Sequence, residues 1–299
     1  MKRKLLFRGT GTALVTPFKN NGAVDEHVLR ELVEFQLKGN VEALVPVGST
    51  GEGATLSEKE QAMVIETVVE QVNGRVPVIA GASSNATAKA IALAQQAKSC
   101  GADAILTVAP FYNKPTQEGI YQHVSAIADA VEMPIVIYNV PGRTASNIEA
   151  GTTLRLAEEI PFVAGVKEAS GNLGQIMEIL RNRPAGFAVW SGDDNFTLPL
   201  VVLGAEGIIS VVANEVPKLF SEMVRYALQG SFEKARALHF KLLPLMNLNF
   251  IESNPIPVKA ALAMMGKIDE NLRLPLVPLS GVNRPRLEQA LRDLRLVSR

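Results

Sequence analysis

Along the first 230 residues, short apolar runs alternate with longer segments whose apolar positions recur at helical spacing. Eight short runs stand out: residues 12–16, 43–47, 78–81, 104–109, 135–138, 163–167, 188–191 and 207–211. They are too brief for helices, rich in β-branched residues and often bounded by glycine or proline, as strands buried on both faces require. Helix starts are legible between them. Ser57 followed three residues later by Glu60 reads as a capping box, and Asp25 and Thr87 suit the N-cap position. A strand and then a helix, repeated about eight times, is the pattern of a (β/α)₈ TIM barrel. A doubly wound open sheet competes, but Gly9-Thr10-Gly11 precedes the expected first strand and lacks the third glycine of a dinucleotide fingerprint. Beyond residue 230 the pattern is helical, with segments 231–248, 256–265 and 284–296. Residues 1–230 are thus expected to form the barrel, and 231–299 a C-terminal helical extension packed on it.

Composition narrows the class. With 47% hydrophobic residues and 30 basic side chains against 30 acidic ones, the chain has the makeup of a globular protein. Zero net charge argues against nucleic acid or an anionic membrane surface as the main partner, since both need a basic face. No stretch approaches the roughly 18 to 20 apolar residues of a membrane span. The basic stretch from Met1 to Arg8 precedes no apolar region of signal-peptide length, so a cytoplasmic location is expected. The single cysteine, Cys100, excludes an internal disulfide and a cysteine-rich metal site.

In a barrel, chemistry sits where strands end. The sixth run closes on Lys167; burial there would favour the neutral, nucleophilic amine, although an ion pair with Glu168 would serve a purely structural end. The fifth run ends at Tyr138, a potential proton donor, with Arg143 on the loop beyond it offering a planar fork for a carboxylate. After the second run, Gly48-Ser49-Thr50-Gly51 makes a tight turn whose N–H groups can converge on a small carboxylate. Phe111 and Tyr112 place two aromatics on the loop after the fourth run, a composition that suits an interface. His27, His123 and His239 fall in helical segments without metal-ligand spacing, and no metal is expected. Asp193 and Asp194 follow the seventh run and suit a helix N-cap better than Mg²⁺. An amine, phenols, hydroxyls and a guanidinium at one barrel mouth fit carbonyl chemistry through a Schiff base, with no organic cofactor.

Gly48 to Glu52, Tyr138 to Thr144 and Gly165 to Ala169 resemble the motifs of the dihydrodipicolinate synthase family, within the pyruvate-dependent Schiff-base lyase superfamily that also holds N-acetylneuraminate lyase. Ser191 to Asp194, Gly207 to Ser210 and Asn254 to Lys259 extend the resemblance over nearly the whole chain. Arg143 favours the synthase over the sialic-acid lyases, which lack this arginine. The resemblance implies that Lys167 forms an imine with pyruvate, and that Tyr138, Thr50 and Tyr112 relay protons, Tyr112 from a neighbouring subunit. It implies that the N–H groups of Ser49 and Thr50 hold the pyruvate carboxylate, that the Gly192 and Ile209 carbonyls line the pocket, and that Arg143 binds L-aspartate 4-semialdehyde. A homotetramer built as a dimer of dimers and a place in diaminopimelate and lysine synthesis follow from the same resemblance.

Two features depart from the family pattern. Ser49 replaces the usual threonine but keeps a hydroxyl. Members sensitive to lysine feedback carry histidine or acidic side chains after the second and third strands and a tyrosine after the fourth. Here those positions hold Glu58, Gln61, Lys89 and Phe111, with Asn85 retained, which implies weak or absent feedback. A sister aldolase acting on a 2-keto-3-deoxy sugar acid and a catalytically silent keto-acid-binding barrel are the rival readings.

Overall fold

The computed structural model describes residues 5–298, so the first residues of the basic N-terminal stretch lie outside it. Eight strands form one parallel sheet: β1 Gly9–Ala13, β2 Ala43–Val45, β3 Ile79–Gly81, β4 Ala104–Val108, β5 Ile135–Asn139, β6 Val163–Glu168, β7 Ala188–Ser191 and β8 Gly207–Ser210. The sheet runs β2-β1-β8-β7-β6-β5-β4-β3, and a parallel bridge between Leu44 and Val78 brings its two ends together. This is the expected (β/α)₈ barrel.

The helices around it are α1 Glu26–Lys38, α2 Glu58–Val72, α3 Thr87–Ser99 and α4 Gln117–Val131, then the short α5 Pro141–Thr144, α6 Ala150–Glu159, α7 Leu173–Asn182, α8 Thr197–Val202 and α9 Pro217–Leu228. The C-terminal part adds α10 Phe232–Leu248, α11 Ile256–Met264 and α12 Arg284–Asp293. It shares a core with the barrel: Ile208 of β8 and Phe220 and Met223 of α9 pack with Leu242, Leu245, Ala260 and Leu287.

The caps explain two helix starts and correct a third. Asp25 accepts a hydrogen bond from the Val28 N–H, and Ser57 and Glu60 form a complete capping box. Thr87 is instead the first helical residue. Ala86 occupies the N-cap without a side-chain bond, and the Thr87 hydroxyl lies 3.0 Å from His123 Nδ1.

The first strand begins three residues earlier than the apolar run suggested, and Gly9-Thr10-Gly11 lies inside it. Glycine has low strand propensity, but here the backbones crowd. Gly9 and Gly207 pair across β1 and β8 with φ of 136° and 140°, and a Cβ on Gly207 would sit 1.9 Å from the Gly9 carbonyl oxygen. No other residue fits this contact.

Side chains alternate along each strand. Val45, Leu106, Val136, Tyr138, Trp190 and Ile209 fill the barrel interior, with Phe7 stacked on Trp190 at 4.8 Å. Leu44, Ile105, Ile135, Ile137, Val166 and Val189 face the surrounding helices. That alternation sends Lys167 inward and its neighbour Glu168 outward.

Candidate active site

Lys167 and Tyr138 are partners in the β5–β6 register, so both side chains point into the barrel on adjacent strands near their C-terminal ends. The Lys167 Nζ lies 4.3 Å from the centroid of the Tyr138 ring. The lysine is 5% exposed. Burial brings its pKa down to about 8; Asp193 and Asp194 pull upward against this, and Arg143 pushes further down. Burial also raises the Tyr138 phenol above its ordinary range, keeping it a proton donor. Glu168 does not pair with the lysine. It is directed to the opposite face, where it takes hydrogen bonds from Asn139 Nδ2 at 3.1 Å and the Ser170 N–H at 2.7 Å.

The cavity above the amine, open at its mouth, is lined by Gly48, Ser49, Thr50, Tyr138, Arg143, Lys167, Gly192 and Asp193, with Phe250 and Asn254 from the C-terminal part. Thr50 is buried, and its Oγ1 accepts a hydrogen bond from Asn254 Nδ2 at 2.9 Å. Its own hydroxyl proton is thereby left for another acceptor. Arg143 sits at the rim, its guanidinium within 3.5 Å of the Asn254 carbonyl oxygen. A Cβ on Gly192 would stand 3.2 Å from Lys167 Cε and 2.6 Å from Ala169 Cβ, so the absence of a side chain there leaves room for the lysine stem.

Some residues lie elsewhere. The Ile209 side chain is wholly buried in the barrel interior. Tyr112 is 88% exposed and is not among the residues lining its own chain's cavity; its φ is 71°. Glu58 and Lys89 are exposed in the first turns of α2 and α3. Gln61 donates to the Gly53 and Leu56 carbonyls, the Asn85 carbonyl accepts from Asn113 Nδ2, and Phe111 is 38% exposed.

The two aspartates after β7 do not act as helix caps. Asp193 has no side-chain cap bond; it faces the cavity, and burial pushes its pKa up to about 6 against the pull of Lys167. Asp194 ties the β7 and β8 loops together, accepting from Ser210 Oγ at 2.6 Å and the Val212 N–H at 3.0 Å. Asp193 was detectable from its position just past a strand end. The role of Asn254 depends on a long-range contact that no local pattern announces.

Residues 6–294 match the Dihydrodipicolinate synthetase family. The chain belongs to that family. A 4-hydroxy-tetrahydrodipicolinate synthase of Koribacter versatilis is 56% identical over 94% of each chain. The dihydrodipicolinate synthase of Acinetobacter baumannii, solved in complex with pyruvate, superposes with a TM-score of 0.95 at 45% identity, covering 97% of this chain and all of that one. A monomeric dihydrodipicolinate synthase variant superposes with a TM-score of 0.96 at 44% identity over 98% of each chain.

Proposed function

We propose that this chain condenses pyruvate with L-aspartate 4-semialdehyde to give 4-hydroxy-tetrahydrodipicolinate, a step of diaminopimelate and lysine synthesis carried out in the cytoplasm. The observation that carries the reading is the buried Lys167 amine beside the Tyr138 ring at the C-terminal mouth of the barrel. With a pKa near 8, a useful fraction of that amine is neutral at physiological pH.

The Lys167 amine attacks the keto carbon of pyruvate. Tyr138 donates a proton to the departing hydroxyl, water leaves and an iminium remains. The Ser49 and Thr50 N–H groups hold the carboxylate, and the Gly192 and Ile209 carbonyls border the reacting centre. Loss of a methyl proton gives the enamine, whose carbon bonds to the aldehyde carbon while the new alkoxide takes up a proton. The amino group of the second substrate then adds to the former keto carbon and displaces the Lys167 amine, closing the ring. Arg143 at the rim holds the second substrate's carboxylate. Thr50 relays protons with Tyr138, and Tyr112 joins from a neighbouring subunit of a dimer of dimers. Its exposure, together with a φ of 71°, supports a role outside its own chain. The iminium formed on Lys167 is the electron sink, so the chemistry calls for no organic cofactor or metal.

A coupled assay supplying pyruvate and L-aspartate 4-semialdehyde, run beside cleavage of a 2-keto-3-deoxy sugar acid, tests this. Turnover of the first pair is expected. Sugar-acid cleavage without condensation would reassign the chain to a sister aldolase.

A further inference from the structure

The turn at residues 48–52 is bent in a way its own sequence does not favour. Val47 precedes it and Glu52 ends it with φ of 59° and 53°, left-handed values that strain a non-glycine residue. Within the turn there are few bonds: the Glu52 N–H donates to the Ser49 carbonyl at 3.2 Å and the Gly53 N–H to the Gly48 carbonyl at 3.2 Å. The stronger grip comes from outside. Thr16 Oγ1 donates to the Gly51 carbonyl at 2.7 Å.

The Glu52 carboxylate ends the turn in a fully buried ion pair with Lys259 of α11, at 2.6 Å, both side chains 0% exposed. Lys259 Nζ also donates to the Thr16 carbonyl at 3.0 Å, joining the same two loops from below. The second carboxylate oxygen of Glu52 accepts the Arg273 N–H at 3.1 Å. The Phe18 ring takes both cations, Lys259 Nζ at 4.2 Å and the Arg273 guanidinium at 4.5 Å from its centroid.

Burying two opposite charges is expensive, and such a pair adds little net stability over apolar residues of the same volume. Its effect here is geometric. One end is fixed in a C-terminal helix and the other in the last residue of the turn whose Gly48, Ser49 and Thr50 line the cavity. We infer that Lys259 is a positioning residue for pyruvate capture: through Glu52 and the Thr16 carbonyl it holds the Ser49–Thr50 turn in the shape that receives the keto-acid carboxylate. This rests on the carboxylate-binding role proposed above. It also makes the C-terminal helices part of the barrel's substrate site, though Lys259 touches no substrate.

The test is the pyruvate concentration that half-saturates borohydride trapping, a measurement that needs no second substrate. In Lys259→Met, which keeps length but orphans Glu52, that concentration is expected to rise at least about tenfold, with a lowered melting temperature. The double variant Lys259→Met with Glu52→Gln removes both charges. Its melting temperature is expected to recover towards wild type, while half-saturation stays raised, a separation that a merely structural pair would not produce. Wild-type half-saturation in the folded double variant would overturn the inference, and so would a wild-type value in Lys259→Met. Should Lys259→Met fail to fold, the double variant decides alone. If the wild-type protein itself traps no pyruvate, it is the proposed function that fails.

Discussion

Replacing Lys167 by methionine removes the amine while keeping its reach, and should make the protein more stable as it abolishes the chemistry. The folded chain holds this lysine at a pKa of about 8 against 10.5 for an ordinary one, chiefly through burial. At about 1.4 kcal/mol per pH unit, that difference is a cost of about 3 kcal/mol to the folded state wherever both states carry the charge. The sign follows from proton binding. Between pH 8 and 10.5 the unfolded chain binds the proton and the folded chain does not, so the lysine's contribution improves as pH rises through that window and is worst below it. The stability gain in Lys167→Met should therefore be largest near pH 6.5, about 3 kcal/mol as an upper bound, and shrink to about 1.5 kcal/mol near pH 9.5. Urea unfolding of both proteins at equal concentration, at the two pH values, reads this directly. A variant no more stable than wild type near pH 6.5, or a gain that does not change with pH, would refute the claim that burial sets the lysine's charge.

Other outcomes follow from the site's geometry. Arg143→Ala should weaken use of the semialdehyde by about 10- to 100-fold, the loss of a charge-assisted hydrogen bond, while pyruvate trapping is unchanged; steady-state kinetics on each substrate separate the two effects. Tyr138→Phe should lower kcat by about 10²- to 10⁴-fold with pyruvate binding within a few-fold of wild type, read from single-turnover rates. Gly192→Ala places a methyl group against the Lys167 stem and Ala169 and should cut the trapping rate at least about tenfold in a folded protein, as judged by circular dichroism. L-lysine at submillimolar concentration and fixed pyruvate should leave the condensation rate unchanged, because the Lys89 ammonium repels that of the ligand; clear inhibition would count against it.

Much of the fold could be read from the chain because parallel barrel strands are buried on both faces and appear as unbroken apolar runs between capped helices. Seven of the eight runs overlap their strands closely, whereas β1 was displaced because its opening residues are glycines chosen for backbone approach to β8. Thr87 misled for a related reason: its hydroxyl serves a neighbouring helix rather than its own first turn. At the site, Lys167 and Tyr138 were legible because a polar residue at the end of a buried strand has few structural reasons to be there. For Asp193, an acidic pair before a helix fits the cap pattern, and only the bend of the loop turns it toward the cavity. Asn254, Lys259 and Glu52 could not be paired from local sequence. They meet across about 200 residues of chain, and each alone looks like an ordinary polar position.

The most direct measurement is borohydride reduction of the wild-type protein in the presence of pyruvate, followed by peptide mapping. A carboxyethyl group carried by the peptide containing Lys167, dependent on both reagents and lost in Lys167→Met, is the expected result. No adduct, or an adduct spread over surface lysines and unaffected by that substitution, would contradict an imine-forming amine at the barrel mouth.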